Sequence, residues 1–231
     1  SEIIAHGEDI SLEDLITPQD MVVTLSHSGY FKAQPLDDYR AQRRGGRGKQ
    51  AAATKEDDFI DNLFIANTHD YVLCFSSLGR VYWMKVYEVP QGGRTSRGKP
   101  IVNLLPLAEG EKINAILPIK EFADDHYVFF CTSQGTVKKT PLSDFSRPMK
   151  RGIIAVDLDE GDYLIGVAIT DGQSQIMLCS DEGKAVRFDE DEVRAMGRGA
   201  RGVRGMRLGE GAQVISLMVV ASDELFVLTA T

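Results

Sequence analysis

The sequence lacks the features that mark membrane, exported and metal-binding proteins. No run approaches the roughly 18 apolar residues that span a bilayer. The segment 1–20 carries six acidic side chains and no lysine or arginine, so it is not a signal peptide. Three widely spaced cysteines (Cys74, Cys131 and Cys179) form no CxxC pair, and the four histidines have no metal-ligand spacing. These absences predict a reduced, cytoplasmic protein with buried thiols and no metal site.

Catalytic motifs are missing as well. The chain contains no Walker motif, no dinucleotide-binding fingerprint after a strand, and neither HExxH nor GxSxG. The acidic run "DEDE" at 189–192 lies beside basic residues, and we interpret it as a solubilising loop. We therefore predict no catalytic residue and no cofactor for this chain.

The formal net charge of −8 hides a strong segregation of charge. Six of the 34 acidic residues lie within the segment 1–20, whereas the basic residues are concentrated in four clusters at 40–55, 94–99, 147–151 and 194–207. The first and last of these clusters contain no acid. Because an anionic ligand responds to the local field, the overall sign does not exclude one.

A fourfold repeat organises the chain. The segments "LSHSGYFKAQPLDDY", "FSSLGRVYWMKVYEV", "CTSQGTVKKTPLSDF" and "CSDEGKAVRFDEDEV" align on the anchor glycines Gly29, Gly79, Gly135 and Gly183, which recur at nearly regular intervals. A serine or threonine precedes each anchor by three positions, and this pattern predicts a type I turn that closes on a left-handed glycine between two strands. A further basic residue follows each turn, the set being Lys32, Arg80, Lys138 with Lys139, and Lys184 with Arg187.

Each repeat then continues through a basic loop into two more strands. The loop glycines lie at a nearly constant distance beyond the anchors and are Gly48, Gly98, Gly152 and Gly202. Four strands in about 50 residues are typical of a propeller blade, so we predict an all-β fold in which only "LEDLI" near the start forms a helical turn. The predicted single domain spans 1–231, with blades at 20–68, 69–122, 123–171 and 172–221 and the first strand of a fifth at 222–231. We expect this chain to be part of a longer one and of a larger ring.

The basic clusters occupy the same loop of every blade, which predicts a curved positive track along one face or rim. Such a track suits bent duplex DNA, because arginine pairs with phosphate through two hydrogen bonds and no recognition helix is present. An aromatic content of 8% is low for stacking single strands. The perimeter candidates are Arg40, Lys49, Arg94, Arg97, Lys99, Lys138, Lys139, Lys150, Arg151, Arg198, Arg201 and Arg204. A flexible arginine-glycine linker and a propeller with an acidic protein partner stay open as alternatives.

The segment "QRRGGRG" at 42–48, with surroundings such as "EDDFIDNLFIANTHDYVLCFSSLGRVYWMKVYEVP" and "GVRGMRLGEG", resembles the box that marks the family of C-terminal domains from the A subunit of bacterial DNA gyrase. The similarity covers essentially the whole chain. The related subunit of topoisomerase IV shares the blades but lacks an intact box, and it stays an alternative. By position, the resemblance assigns DNA binding to the box residues Gln42, Arg43, Arg44, Gly45, Gly46, Arg47 and Gly48.

The resemblance also implies a mechanism. The fold would be a β-pinwheel, a propeller-like disc usually of six blades that exchange strands with their neighbours. DNA would wrap around its basic perimeter, so that ATP-driven strand passage introduces negative supercoils. The active tyrosine would lie elsewhere in the A subunit, while the ATPase would belong to the B subunit. ATP and Mg²⁺ would therefore bind outside this chain, in an A2B2 holoenzyme of the bacterial cytoplasm associated with the nucleoid.

Overall fold

The computed structural model describes residues 11–44 and 58–220, and within these ranges the chain forms four antiparallel sheets. The first repeat contains β1 (Asp20–Ser26), β2 (Tyr30–Pro35), α1 (Leu36–Arg44) and β3 (Ile60–Asn67). The second contains β4 (Tyr71–Ser76), β5 (Arg80–Lys85), β6 (Lys99–Pro100) and β7 (Ile113–Ile119). The third contains β8 (Tyr127–Thr132), β9 (Thr136–Pro141), β10 (Ile153–Ile154) and β11 (Leu164–Thr170). The fourth contains β12 (Gln175–Ser180), β13 (Ala185–Asp189), β14 (Val203–Arg204) and β15 (Val214–Val220).

Three of the sheets borrow a strand from the next repeat. Their strand orders are β3-β1-β2-β6, β7-β4-β5-β10 and β11-β8-β9-β14, and the fourth sheet is β15-β12-β13. The borrowed strands β6, β10 and β14 are two residues long and pair antiparallel with the second strand of the preceding blade. This arrangement confirms the all-β, propeller-like prediction and shows the strand exchange that the resemblance implied. The predicted first strand of a fifth blade, at 222–231, lies outside the described residues.

The sheet order defines an inside and an outside. Strand β3 packs beside β7, β7 beside β11, and β11 beside β15, so these four strands form the inner row of the disc. The borrowed strands lie at the opposite edge of their sheets. The basic loops that lead into the borrowed strands are therefore on the outer perimeter.

The apolar core lies between neighbouring sheets, and each central strand contributes to two parts of it. In β4, Val72 and Cys74 pack with the first repeat, whereas Leu73 and Phe75 face the third repeat. Phe75 meets Phe130 edge to face, with ring centroids 5.5 Å apart. This alternation follows from the two-residue period of a strand that is buried on both faces.

The anchor turns have the predicted chemistry. The N–H of each anchor glycine donates to the carbonyl of the serine or threonine three residues earlier, over 2.9 to 3.2 Å. The hydroxyl of that residue accepts from the N–H that follows the glycine, over 3.1 to 3.2 Å. All four anchors have φ between 77° and 86°. The turn prediction is confirmed in every repeat.

The structure contains more helical segments than the sequence predicts. Helix α1 was not expected, and it occupies the place where the other repeats have short 3-10 helices at Val86–Glu88, Leu142–Phe145 and Glu190–Glu192. It has two acids in its first turn and two arginines in its last, which suit the helix dipole. The predicted turn of helix near the start is confirmed, as a 3-10 helix at Leu12–Leu15. Within the described residues, no helix is long and apolar enough to cross a membrane.

The acidic run at 189–192 is only partly the solvated loop that we expected. Glu190 is fully buried, and its carboxylate accepts from the N–H of Ser174 at 2.8 Å and lies 3.8 Å from the ammonium nitrogen of Lys139. Asp189, Asp191 and Glu192 are exposed. The cysteines follow the core interpretation, because Cys74 and Cys131 are buried free thiols and Cys179 is half-buried.

Candidate nucleic-acid interface

The box begins at the end of helix α1. Gln42, Arg43 and Arg44 form its last turn, whereas Gly45 to Gly48 and Lys49 lie outside the described residues. The side-chain oxygen of Gln42 accepts from the amide nitrogen of Gln34 on β2 at 2.8 Å, which ties the helix to the sheet. Arg43 and Arg44 are exposed, as is Arg40 one turn earlier.

Helix α1, which carries the first residues of the box, shares a cavity with the basic loop of the second repeat. Gln42 and Arg43 of the helix, Lys32 of β2 and Arg94 of the loop line a space of about 390 Å³. The guanidinium of Arg43 also lies 5.7 Å from the ring centroid of Tyr39. The structure therefore brings two sequence-predicted arginines from different repeats to one place on the perimeter.

The basic loop of the second repeat is exposed from Gly93 to Arg97, a stretch that includes Arg94, and Lys99 is exposed as well. Arg97 lies over the ring of Tyr30 at 4.4 Å, and its guanidinium is 3.7 Å from the carboxylate of Asp58. Both partners come from the first repeat. They hold the Arg97 side chain against the preceding blade, a role that the charge pattern alone did not reveal.

The later loops present fewer free charges. Lys150 and Arg151 are exposed in the third repeat. In the fourth repeat Arg204 is exposed and Arg198 is half-buried. Arg201 is exposed too, but it forms ion pairs with Asp157 at 3.1 Å and Asp159 at 3.0 Å. These two acids partly neutralise the positive charge of the basic loop in the fourth repeat.

Two perimeter candidates lie inside the protein. Lys138 is 0% exposed and donates hydrogen bonds to three backbone carbonyls. Lys139 is 6% exposed, donates to the carbonyl of Glu190 at 3.1 Å and lies over the ring of Tyr127. Because neither ammonium group reaches the surface, we remove both lysines from the DNA-contact set.

The glycines at the end of the basic loops let the chain pack closely against the preceding blade. Gly98, Gly152 and Gly202 have φ of +79°, +69° and +101°, and each stands where the chain crosses onto the preceding blade. An added Cβ would clash with the Phe31 carbonyl, the Tyr82 ring or the Val137 carbonyl, respectively. Only glycine combines that backbone with so close an approach. An arginine precedes each of these glycines, so the crossing point also sets the position of one positive charge per blade.

Together these features define a strand-exchanged propeller with basic loops along its outer edge. The chain belongs to the family described as the DNA gyrase C-terminal domain, a beta-propeller, which it matches over 20–67, 70–120, 126–171 and 174–221. It is 59% identical over its whole length to the DNA gyrase A subunit of Klebsiella oxytoca, and equally to that of Escherichia coli K12. It spans about a quarter of the length of these relatives, 26% in each case.

Solved structures show the same fold. The C-terminal domain of DNA topoisomerase IV superposes with a TM-score of 0.77 at 31% identity, covering 90% of this chain and 63% of the other. The DNA gyrase A C-terminal domain superposes with a TM-score of 0.66 at 28% identity, covering 87% and 65%. The topoisomerase IV domain is thus a good structural match, while the relatives of high sequence identity are gyrase subunits.

Proposed function

We propose that this chain binds duplex DNA and wraps it around the perimeter of the disc, as part of the A subunit of a DNA gyrase. The observation that carries the proposal is the recurrence of exposed arginines where each borrowed strand reaches the outer edge, at Arg97, Arg151 and Arg201. The regular placement of these charges on a rigid scaffold supports a curved path for a polyanion. A flexible linker would not hold them in register with the blades.

The energetics fit a distributed interface. Bending 20–30 base pairs smoothly through 40–90° costs on the order of 1–6 kcal/mol, and a longer wrap costs more. Contacts spread along several blades offset that cost, since each guanidinium can make two hydrogen bonds to a phosphate. A base-reading site would not be needed, because phosphate contacts set position and not sequence.

In this proposal the wrapped segment is delivered to the strand-passing part of the enzyme, so that passage introduces negative supercoils. The active tyrosine lies outside this chain in the A subunit, while the ATPase belongs to the B subunit. ATP and Mg²⁺ are bound there, within an A2B2 assembly in the bacterial cytoplasm. The topoisomerase IV alternative shares the blades, and we favour gyrase because of the box at 42–48 and the high identity to gyrase subunits.

The box arginines provide the test. In the complete subunit that carries this chain, Arg43, Arg44 and Arg47 are replaced together by glutamine. The protein is bound to a closed DNA circle, the circle is relaxed by a nicking-closing enzyme, and the linking number is measured. We expect the linking-number shift to be lost while simple DNA binding falls by less than about tenfold, because other loops keep their phosphate contacts.

A matched control replaces three exposed lysines away from the basic loops by glutamine, namely Lys112, Lys120 and Lys184. This variant loses the same charge, and its linking-number shift should be that of the unmodified protein. An unchanged shift in the box variant would overturn the assignment of the box to wrapping.

A further inference from the structure

Two lysines reach from one blade into the basic loop of the next. The ammonium group of Lys32 on β2 donates to the carbonyls of Gly93 at 3.1 Å and Ser96 at 2.8 Å. The ammonium group of Lys138 on β9 donates to Arg198 at 2.7 Å and Ala200 at 3.0 Å, and to Ala155 at 2.7 Å. Each loop therefore folds around a cation of the preceding blade.

The two contacts are equivalent by repeat position. Lys32 and Lys138 both stand three residues after their anchor glycines, and the accepting residues Ser96 and Ala200 lie at equal distances beyond the anchors of the next repeats. A lysine-to-loop contact with one equivalent acceptor has thus formed twice, between the first and second repeats and between the third and fourth.

The backbone next to each lysine forms a hydrogen bond with the following repeat. The N–H of Ala33, next to Lys32, donates to the carbonyl of Pro90 at 2.8 Å, and the N–H of Met196 donates to the carbonyl of Lys139 at 2.8 Å. These parallel bridges dock the start of each loop, and the borrowed strand docks its end. The lysine lies between the two docking points and fixes the segment that carries the arginines.

Burial makes the charged form of both lysines less favourable. Burial lowers the pKa of Lys138 to about 8 and also lowers the pKa of Lys32. This cost is offset by the carbonyl acceptors, and Lys138 has three for its three N–H donors. The loop carbonyls that accept these bonds are therefore paired with a cation of the preceding blade.

The middle interface serves as an internal comparison. There Tyr82 stands at the lysine position, and its hydroxyl donates to the Glu111 carboxylate at 2.8 Å. The loop that follows reaches its glycine, Gly152, two residues sooner than the loops that are held by lysine. The two interfaces that contain the lysine are thus the two with the longer glycine-arginine loop.

We propose that Lys32 and Lys138 are positioning residues for DNA binding, which hold the loops 92–98 and 197–202 in the shape that presents their arginines to phosphates. The DNA part of this inference rests on the proposed function. The loop-holding part does not, and the experiment separates the two.

The main variant is Lys32→Met, which keeps an unbranched side chain of nearly the same length and removes its donors, at a half-buried site where the fold is expected to tolerate it. Lys32→Arg, which keeps the charge and donors, serves as the conservative variant. Lys138→Met tests the second site, and Lys184→Met, at an exposed lysine, is the matched control. All variants are made in the complete subunit.

The first readout is amide hydrogen exchange, without DNA. We expect exchange in residues 93–97 to rise about tenfold in Lys32→Met while β1 is unchanged, since loops open locally when their tethers are lost. The arginine variant should restore most of the protection. Unchanged exchange in the loop of Lys32→Met would overturn the proposal, whatever DNA does.

The second readout is duplex affinity against salt concentration. A lysine that touches phosphate directly contributes about 0.9 to the slope of log affinity against log salt. A positioning residue leaves that slope unchanged and lowers affinity several-fold at every salt concentration, because the loop must then be ordered on binding. A slope reduced by about one would show direct contact and contradict the positioning role. If the unmodified protein binds no DNA, the proposed function fails, and the exchange result still decides the loop-holding role.

Discussion

At the scale of single residues, the buried thiols make stability depend on pH. Burial raises the pKa of Cys74 to about 12, and burial together with the charge of Asp162 raises that of Cys131 to about 12, from an ordinary value of 9.0. The unfolded chain releases these protons first, so the stability they contribute is complete below pH 9 and is lost as pH rises toward 12. We expect the free energy of unfolding to fall by about 1.4 kcal/mol per pH unit for each thiol above pH 9.

Urea unfolding under reducing conditions between pH 7 and 10.5 measures this slope. The control is the double variant Cys74→Ala with Cys131→Ala, which is less stable but should have lost the thiol-dependent fall. Lys138 acts in the opposite direction, since its pKa lowered from 10.5 to about 8 makes stability rise with pH between those values. Two thiols outweigh one lysine above pH 9. Equal slopes in the unmodified and double-variant proteins would contradict the prediction.

The sequence located the basic residues but not their surroundings. Lys138 and Lys139 are adjacent, so a strand with one solvated face would have exposed one of them. Strand β9 is instead covered on both faces, because its four central residues, Val137 to Thr140, are all buried. Both lysines therefore donate to backbone carbonyls of the next repeat, Lys138 to Ala200 and Lys139 to Glu190. Sequence spacing alone does not identify such distant partners.

At the scale of elements, the crossing of each borrowed strand depends on its glycine. Gly202 has φ +101°, and a Cβ there would clash with the carbonyl of Val137. We expect Gly202→Ala to destabilise the fold by about 1–3 kcal/mol, because backbone strain and a steric clash act together. Chemical denaturation measures the loss.

The same loop offers a matched control in Gly199, where an added Cβ meets open space. Gly199→Ala should change the free energy of unfolding by less than about 0.5 kcal/mol. If both alanine variants were equally stable, the close crossing would not be the reason for the glycine at 202.

The elements differ in how far the sequence predicts them. The anchor turns follow from four residues in a row, so their chemistry is local and was predicted in all repeats. A borrowed strand is two residues long, and its partner belongs to another repeat, so periodicity gives no signal for it. Helix α1 was missed because the other three repeats end the same segment after three or four residues. Its long polar stretch, "LDDYRAQRR", contains no proline or glycine to stop it.

At the scale of the whole molecule, net charge and interface charge have opposite signs. The chain carries a formal −8, yet exposed arginines mark the outer edge of successive blades. The four-strand period predicted the propeller, and the strand exchange decides which loops reach the edge. We expect acidic side chains at that edge to lower the proposed affinity for DNA, because they occupy arginines that could otherwise pair with phosphates. Asp157 and Asp159, which pair with Arg201, are the clearest example.

This arrangement predicts that removing the two acids strengthens DNA binding. In Asp157→Asn with Asp159→Asn, Arg201 is released to neutralise a phosphate, so the slope of log affinity against log salt should steepen by about 0.9. The control, Glu121→Gln with Asp124→Asn, removes the same charge at two exposed acids between β7 and β8 and should leave the slope unchanged. Salt-titrated gel shifts with a duplex measure both. Equal slopes would place Arg201 off the DNA path, and no duplex binding by the unmodified protein at about 50 mM salt would favour an acidic protein partner instead.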